Sequence, residues 1–114
     1  MPDRVCKKGE PILFDALGQY KRYHGDFGRC AVIGNPSQLH VERHQAILEG
    51  WNKAKEYLKS GTTYDELSEI VGEHVRSMNF NYFSNPAIHG LGLEHTDDPK
   101  PTGAQPGVKI SQVL

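Results

Sequence analysis

The chain has 114 residues, with 13 basic and 14 acidic side chains and a formal net charge of −1. This balance, with lysines and arginines spread along the chain, excludes the basic footprint of a nucleic-acid-binding domain and a polybasic membrane patch. No apolar run approaches the roughly 20 residues that span a bilayer, and the polar N-terminus is unlike a signal peptide. We therefore expect a single globular domain with neither a nucleic-acid nor a membrane partner.

The two cysteines indicate a reducing environment. Cys6 and Cys30 are too few for a disulfide framework and lack CxxC spacing. We expect reduced thiols and a cytoplasmic protein. Cys30 follows Arg29 on a predicted strand, so we expect it to be a buried and inert thiol rather than a nucleophile.

The first third of the chain predicts a β-hairpin over residues 12–33. Residues 12–17 are apolar enough for a buried strand, and Gly18 with Gln19 offers a turn. The returning strand then begins at residues 20–23. Gly25 interrupts that strand and suggests a bulge.

Two helices are predicted next, over about 37–59 and 63–78. Ser37 can cap the first helix, while Thr63 and Glu66 have the spacing of a capping box at the start of the second. The first helix carries an apolar stripe that we expect to lie in the core. That stripe consists of Ile47, Trp51, Ala54 and Leu58, with Tyr57 beside it.

The last third predicts a strand approach followed by a loop. Residues 86–95 contain His89 and two glycines that allow close backbone packing, and residues 96–107 are rich in proline and glycine. A new apolar segment starts at 108–114. We therefore expect a domain that is cut partway through a strand.

Asp15, Asp26 and His89 are the candidate metal ligands. The two aspartates are eleven residues apart around the hairpin turn, a spacing that predicts facing positions with Cβ atoms about 4.5–5.5 Å apart. Carboxylates that close repel each other unless a cation or proton lies between them. The alternative is that they merely flank a turn and that Arg29 neutralises one of them.

Three other histidine patterns carry weaker signals. His40 and His44 lie one helical turn apart, but Val41 stands where the HExxH zinc motif needs glutamate, so we expect an exposed pair. His74 falls on the apolar face of the second helix and is expected to be packed. His24 either lines a site beside Asp26 or belongs only to the hairpin turn.

Three segments together resemble a known family. They are Phe14-Asp15-Ala16-Leu17-Gly18, Asp26-Phe27-Gly28-Arg29 and His89-Gly90-Leu91-Gly92-Leu93-Glu94, with two helices between the second and third. The set resembles the pita-bread metallopeptidases, which include methionine aminopeptidase, aminopeptidase P, prolidase and creatinase. The resemblance covers roughly residues 9–99. It implies an α+β chain with a partial pita-bread fold, in which two adjacent helices lie on one face of an antiparallel sheet.

The resemblance also implies roles for the matching residues. Asp15 would chelate one metal, Asp26 would bridge two, and His89 would bind one through a ring nitrogen. Mn²⁺, Co²⁺, Fe²⁺ or Zn²⁺ would suit this donor set. The family often has a second histidine seven residues after the ligand, where this chain has Thr96, so His95, one residue earlier, is the candidate catalytic residue.

Two further acidic ligands of the family have no counterpart in this chain, so we expect at most one metal to bind here, and weakly. The resemblance implies a metal-dependent hydrolase of the aminopeptidase or Xaa-Pro dipeptidase type, acting on a small peptide or amide, with an incomplete dinuclear site in this chain. One alternative is an inactive fragment or degenerate homologue that acts only in binding or assembly, including homo-oligomers. Another is a creatinase-like hydrolase of non-peptide C–N bonds.

Overall fold

A computed structural model describes residues 3–81, 88–97 and 109–110. Its elements in chain order are β1 (Pro11–Tyr20), β2 (Tyr23–Val32), α1 (Gln38–Lys55) and α2 (Tyr64–Ser77). The two strands pair antiparallel and the two helices pack on each other, so the chain is α+β. Most of the predicted loop at 96–107 and the predicted segment at 108–114, apart from residues 109–110, lie outside the described residues.

The hairpin turns at Lys21 and Arg22, which have φ values of 50° and 74°. Positive φ at both central residues belongs to the type I′ turn, whose twist matches that of the flanking strands. The predicted turn at Gly18 and Gln19 is therefore wrong. The pairing runs through the glycines, with Gly18 opposite Gly25, and the predicted bulge is absent from this register.

Helices α1 and α2 cross at a row of small residues. Ala46, Gly50 and Ala54, one on each successive turn of α1, are buried, and α2 meets them with Leu67 and Val75 among its buried residues. The backbones approach so closely at the crossing that a Cβ on Gly50 would lie 3.1 Å from the carbonyl oxygen of Val71. Ridges of residues spaced four apart produce this kind of helix packing.

The predicted apolar stripe of α1 is largely outside the core. Trp51 remains 43% exposed, Tyr57 47% and Leu58 49%, whereas Ala54 is fully buried. The small side chains of α1 form the contact with α2, and the larger apolar side chains lie on either side of that contact. The prediction was wrong because helical periodicity marks an apolar side without indicating which row of residues a second helix will cover.

An open groove of about 730 Å³ separates the hairpin from the helix pair. Its lining residues are Asp26, Gly28, Trp51, Leu58, Tyr64, Leu67, Ile88, His89, Leu91 and Ile110. Within the described chain, no Cα atom of a strand comes within 8 Å of a Cα atom of a helix. The helices therefore face the hairpin across the groove, on the side of Asp26 and Gly28.

Several apolar strand residues are exposed. Leu13 is 70% exposed and Phe14 59%. Cys30 is also exposed, as is Cys6, and both thiols are free. The expectation of a buried Cys30 is wrong because no described helix packs directly on its strand, since the groove lies between them. None of the helices in the described ranges is long and apolar enough to span a membrane.

Local hydrogen bonds fix where the helices begin. The Ser37 hydroxyl accepts a hydrogen bond from the His40 backbone at 3.2 Å. Thr63 and Glu66 form the predicted capping box, in which the Thr63 backbone N–H donates to the Glu66 carboxylate at 2.7 Å. Helix α1 ends at Lys55, earlier than predicted, and Asn79, with φ 61°, follows the end of α2.

Gly50→Leu should lower the free energy of unfolding by about 1–3 kcal/mol, because the new side chain overpacks the helix crossing. His44→Leu is the matched control, since it makes the same kind of change at an exposed position of α1. Urea unfolding followed by circular dichroism measures both. Equal stability of the two variants would contradict the close helix crossing.

The capping box should make stability depend on pH. The backbone hydrogen bond from Thr63, followed by that from its side chain, lowers the pKa of Glu66 below the usual 4.5. A carboxyl group with a lowered folded-state pKa stabilises the fold above its unfolded-state pKa, and this stabilisation is lost as the pH falls through the folded-state pKa.

Glu66→Ala should therefore be less stable than the unsubstituted chain at pH 7, and the difference in unfolding free energy should shrink below about pH 4.3. Glu73→Ala, an exposed change on the same helix outside the capping box, serves as the control. Thermal unfolding measured from pH 7 to pH 3 provides the comparison. A constant difference across this range would contradict the stabilising role of the Glu66 carboxylate.

Candidate metal centre

The hairpin register determines how the two candidate aspartates are placed. Asp15 lies opposite Gly28, and Asp26 lies opposite Leu17. The aspartates are therefore diagonal neighbours on one face of the sheet, a relation that typically separates residues by about 7–8 Å. The predicted direct opposition is wrong because the turn is centred between Lys21 and Arg22, one position after the midpoint of the two aspartates.

Residues 88–97 form a closed turn rather than the predicted strand approach. The Asp97 backbone N–H donates to the Gly90 carbonyl oxygen at 3.0 Å, and the Asp97 carboxylate accepts from the Leu93 backbone N–H at 3.0 Å. The His24 backbone N–H donates to the Gly92 carbonyl oxygen at 2.8 Å. This last hydrogen bond attaches the turn to β2.

Asp26, His89 and His95 converge where the turn meets the hairpin. The Asp26 Oδ2 atom lies 3.2 Å from Nε2 of His95 and 3.6 Å from Nε2 of His89. The three donor atoms all lie within 4.8 Å of one another. The side chains of Asp26 and His89 are 26% and 18% exposed, so the cluster is accessible to solvent without being fully open.

Neighbouring groups orient the two imidazole rings. Nδ1 of His89 lies 2.9 Å from the Gly90 carbonyl oxygen, which can only accept. Nδ1 therefore carries the proton, and in the neutral ring the lone pair is on Nε2, facing Asp26. Nδ1 of His95 lies 3.3 Å from the Thr96 hydroxyl. The Nε2 atom of His95 therefore points towards the same Asp26 carboxylate.

His24 lines the same site, which favours the first of its two interpretations. Its ring centroid is 6.4 Å from that of His95, and it lies two residues before Asp26 on β2. The Gln19 side-chain nitrogen is 2.7 Å from Nε2 of His24. Nδ1 of His24 is buried and has no hydrogen-bond partner among the described residues.

Arg29 does not neutralise either aspartate in the described chain. Its guanidinium donates to the Gly28 carbonyl oxygen at 2.6 Å and lies 4.0 Å from the centre of the Phe27 ring. The Asp15 side chain makes no hydrogen bond or ion pair with a described residue. The cluster at Asp26 is therefore the part of the candidate site that the structure brings together.

The remaining histidines lie outside this cluster. His74 is largely buried between the helices, with Nε2 3.0 Å from the Glu49 carboxylate and Nδ1 2.8 Å from the Lys53 ammonium. Hydrogen bonds from Gln45 and then His74 lower the pKa of Glu49. The described residues place neither His40 nor His44 in a group of metal-ligand donors.

The donor atoms of the cluster fit a divalent cation. Ligand atoms about 2.0–2.2 Å from zinc at tetrahedral angles lie about 3.3–3.6 Å from each other. The two contacts to Asp26 Oδ2, at 3.2 and 3.6 Å, are close to this spacing. Two imidazole nitrogens with one carboxylate oxygen are also common ligands of first-row divalent metals.

Residues 1–112 match the model of metallopeptidase family M24. The chain belongs to this family. It is 30% identical over 99 residues to the Xaa-Pro dipeptidase of Pyrococcus furiosus, covering 86% of this chain and 28% of that protein. It is also 26% identical over 96 residues to the ectoine hydrolase of Halomonas elongata, covering 84% of this chain and 24% of that one.

The fold of this M24 chain also matches solved structures. The X-Pro aminopeptidase of Thermotoga maritima superposes with a TM-score of 0.79 and 31% sequence identity over 86% of this chain. This chain covers 28% of that structure. The chain therefore has part of a pita-bread fold, and it spans about 28% of the length of the Xaa-Pro dipeptidase relative.

Gly92→Ala should weaken binding of Co²⁺ by about 10–100-fold, the usual effect of disturbing groups that orient metal ligands. An added Cβ would collide with the Asp97 carboxylate, which closes the turn through the Leu93 backbone N–H. Gly18→Ala is the control, because a Cβ there has no neighbour within 4 Å. Calorimetric titration compares the three chains, and unchanged affinity in Gly92→Ala would contradict the orienting role of the turn.

Proposed function

We propose that this chain is part of a metal-dependent hydrolase of the aminopeptidase or Xaa-Pro dipeptidase type that acts on small peptides or amides. The observation that carries the proposal is the convergence of Asp26 with His89 and His95 in a chain of family M24. The 28% coverage of the Xaa-Pro dipeptidase supports the view that further ligands lie in a longer protein. Its dinuclear metal site would then be incomplete in these 114 residues.

In this proposal Asp15, Asp26 and His89 would hold the divalent cations, with Asp26 as the ligand shared between two of them and His89 acting through Nε2. Their placement on one sheet face and on the adjoining turn supports these roles. Divalent metals supply activation of water and polarisation of the scissile carbonyl in hydrolases of this kind. His95, the most exposed of the three clustered side chains, is the candidate catalytic residue and contacts the Asp26 carboxylate.

The groove between the hairpin and the helices is the proposed substrate site. Asp26 and His89 lie in its wall beside apolar side chains that include Trp51 and Leu91. Its volume of about 730 Å³ falls within the range typical of small-molecule sites, about 300–1,000 Å³. An apolar wall next to metal ligands suits a small peptide or amide with an apolar side chain.

Two other functions are each favoured by one observation. The relative named ectoine hydrolase favours a creatinase-like hydrolase of non-peptide C–N bonds. The exposed apolar residues of β1, among them Leu13, Phe14 and Leu17, favour an inactive chain that acts in assembly, including with copies of itself. Substrate assays separate the first alternative from peptidase activity, and sedimentation tests self-association.

The purified 114-residue chain should show little or no hydrolysis of Xaa-Pro dipeptides or N-terminal peptide bonds with Mn²⁺ or Co²⁺. A longer protein containing it should be active, and Asp26→Asn should abolish that activity, whereas Asp3→Asn, an exposed change, should not. Creatine and ectoine serve as the competing substrates. Hydrolysis by the 114-residue chain that is lost in His89→Ala would contradict the incomplete site.

A further inference from the structure

We infer that this chain by itself holds one divalent cation of the zinc and cobalt class through Asp26, His89 and His95, without Asp15. The inference rests on the metal dependence of the proposed function. It keeps the expected single metal in this chain and differs in the ligands, because the resemblance assigns Asp15 to the site and the structure places His95 there instead. It also makes His95 a metal ligand, whereas the resemblance makes it only a candidate catalytic residue.

The first support is the arrangement of the donor atoms. One carboxylate oxygen, Oδ2 of Asp26, lies 3.2 Å from Nε2 of His95 and 3.6 Å from Nε2 of His89. These separations approximate two edges of a tetrahedral zinc site, about 3.3–3.6 Å. The third pair of donor atoms, one from each ring, lies within 4.8 Å, so all three atoms are near enough to share one cation.

The second support is how the ligands are held. His89 is oriented by its Nδ1 donation to the Gly90 carbonyl oxygen, a common arrangement for metal-binding histidines. The Thr96 hydroxyl lies 3.3 Å from Nδ1 of His95. Both rings belong to a turn that Asp97 closes, so both nitrogens are placed before a metal arrives.

Asp15 lacks the corresponding placement. It is diagonal to Asp26 in the hairpin register, and its carboxylate is not among the donor atoms that gather within 4.8 Å in the described chain. His95 comes closer to the shared Oδ2 atom than His89 does. The structure thus supplies two nitrogens and one oxygen to the single cation.

This donor set determines which metal should bind. Imidazole nitrogen suits zinc, cobalt and nickel, whereas manganese and magnesium favour sites made of oxygen. Three protein ligands also leave a fourth position open in a tetrahedral site, the arrangement of catalytic zinc sites. The 37% exposure of the His95 side chain leaves such a position accessible from solvent.

Titration of the 114-residue chain with Zn²⁺ and Co²⁺ by calorimetry tests the inference, with Mn²⁺ as the comparison metal. We expect one cation per chain and the visible absorption of four-coordinate Co²⁺, with Mn²⁺ bound at least tenfold more weakly. His95→Gln should lower Zn²⁺ affinity at least tenfold. Asp15→Asn should change it less than threefold, and His44→Gln, an exposed histidine substitution, should leave it unchanged.

Ring-nitrogen NMR of the unsubstituted chain provides a test that does not depend on folding of the variants. The Nε2 resonances of His89 and His95 should both shift when Zn²⁺ is added, while that of His44 should not. Loss of Zn²⁺ affinity in Asp15→Asn with retention in His95→Gln would overturn the inference and support the ligand set of the proposed function. Two cations per chain, no binding, or an unmoved His95 resonance would also overturn it. Peptide hydrolysis by the longer protein tests the proposed function separately.

Discussion

One backbone hydrogen bond attaches the histidine-bearing turn to the hairpin. The His24 N–H donates to the Gly92 carbonyl oxygen, and Asp26 follows two residues later on the same strand. An ordinary hydrogen bond contributes only about 0.5–1.5 kcal/mol to stability. Its structural consequence is larger, because it places His89 and His95 beside the Asp26 carboxylate. The register of β1 with β2 then determines where that carboxylate stands.

Packing contributes little to holding this site together. The buried hydrophobic residues of the described chain, Ala46, Ala54, Leu67 and Val75, all belong to the two helices, and the hairpin faces those helices across an open groove. Leu91 and Leu93 of the turn are 47% and 62% exposed, so among the described residues the turn is held chiefly by its internal hydrogen bonds. Asp97 supplies two of them through its backbone N–H and its carboxylate. This explains why Gly92, which packs against that carboxylate, matters to a site it does not enter.

Local sequence signals predicted where the strands and helices begin and end better than they predicted which residues of these elements contact each other. The capping box of Thr63 and Glu66 formed as expected, since it depends only on residues three apart. The predicted turn was wrong because Gly18, which indicated it, pairs with Gly25 inside the strand ladder. The observed turn at Lys21 and Arg22 is centred one position after the midpoint of Asp15 and Asp26, so the two aspartates are diagonal neighbours rather than a facing pair. The row of Ala46, Gly50 and Ala54 was a usable signal for the helix crossing, whereas hydrophobicity favoured the larger neighbours.

The place of His95 beside Asp26 could not be predicted from its spacing to His89 in the sequence. In a strand or helix, a shift of one residue turns a side chain to another direction, so a histidine one place early would point away from its site. Residues 88–97 are neither, and their path is set by the closure of Asp97 onto Gly90 and Leu93. Within that closed turn His95 still reaches Asp26 at 3.2 Å. The ligand role of His95 therefore follows from how the turn closes, which depends on glycines and a carboxylate rather than on the spacing between histidines.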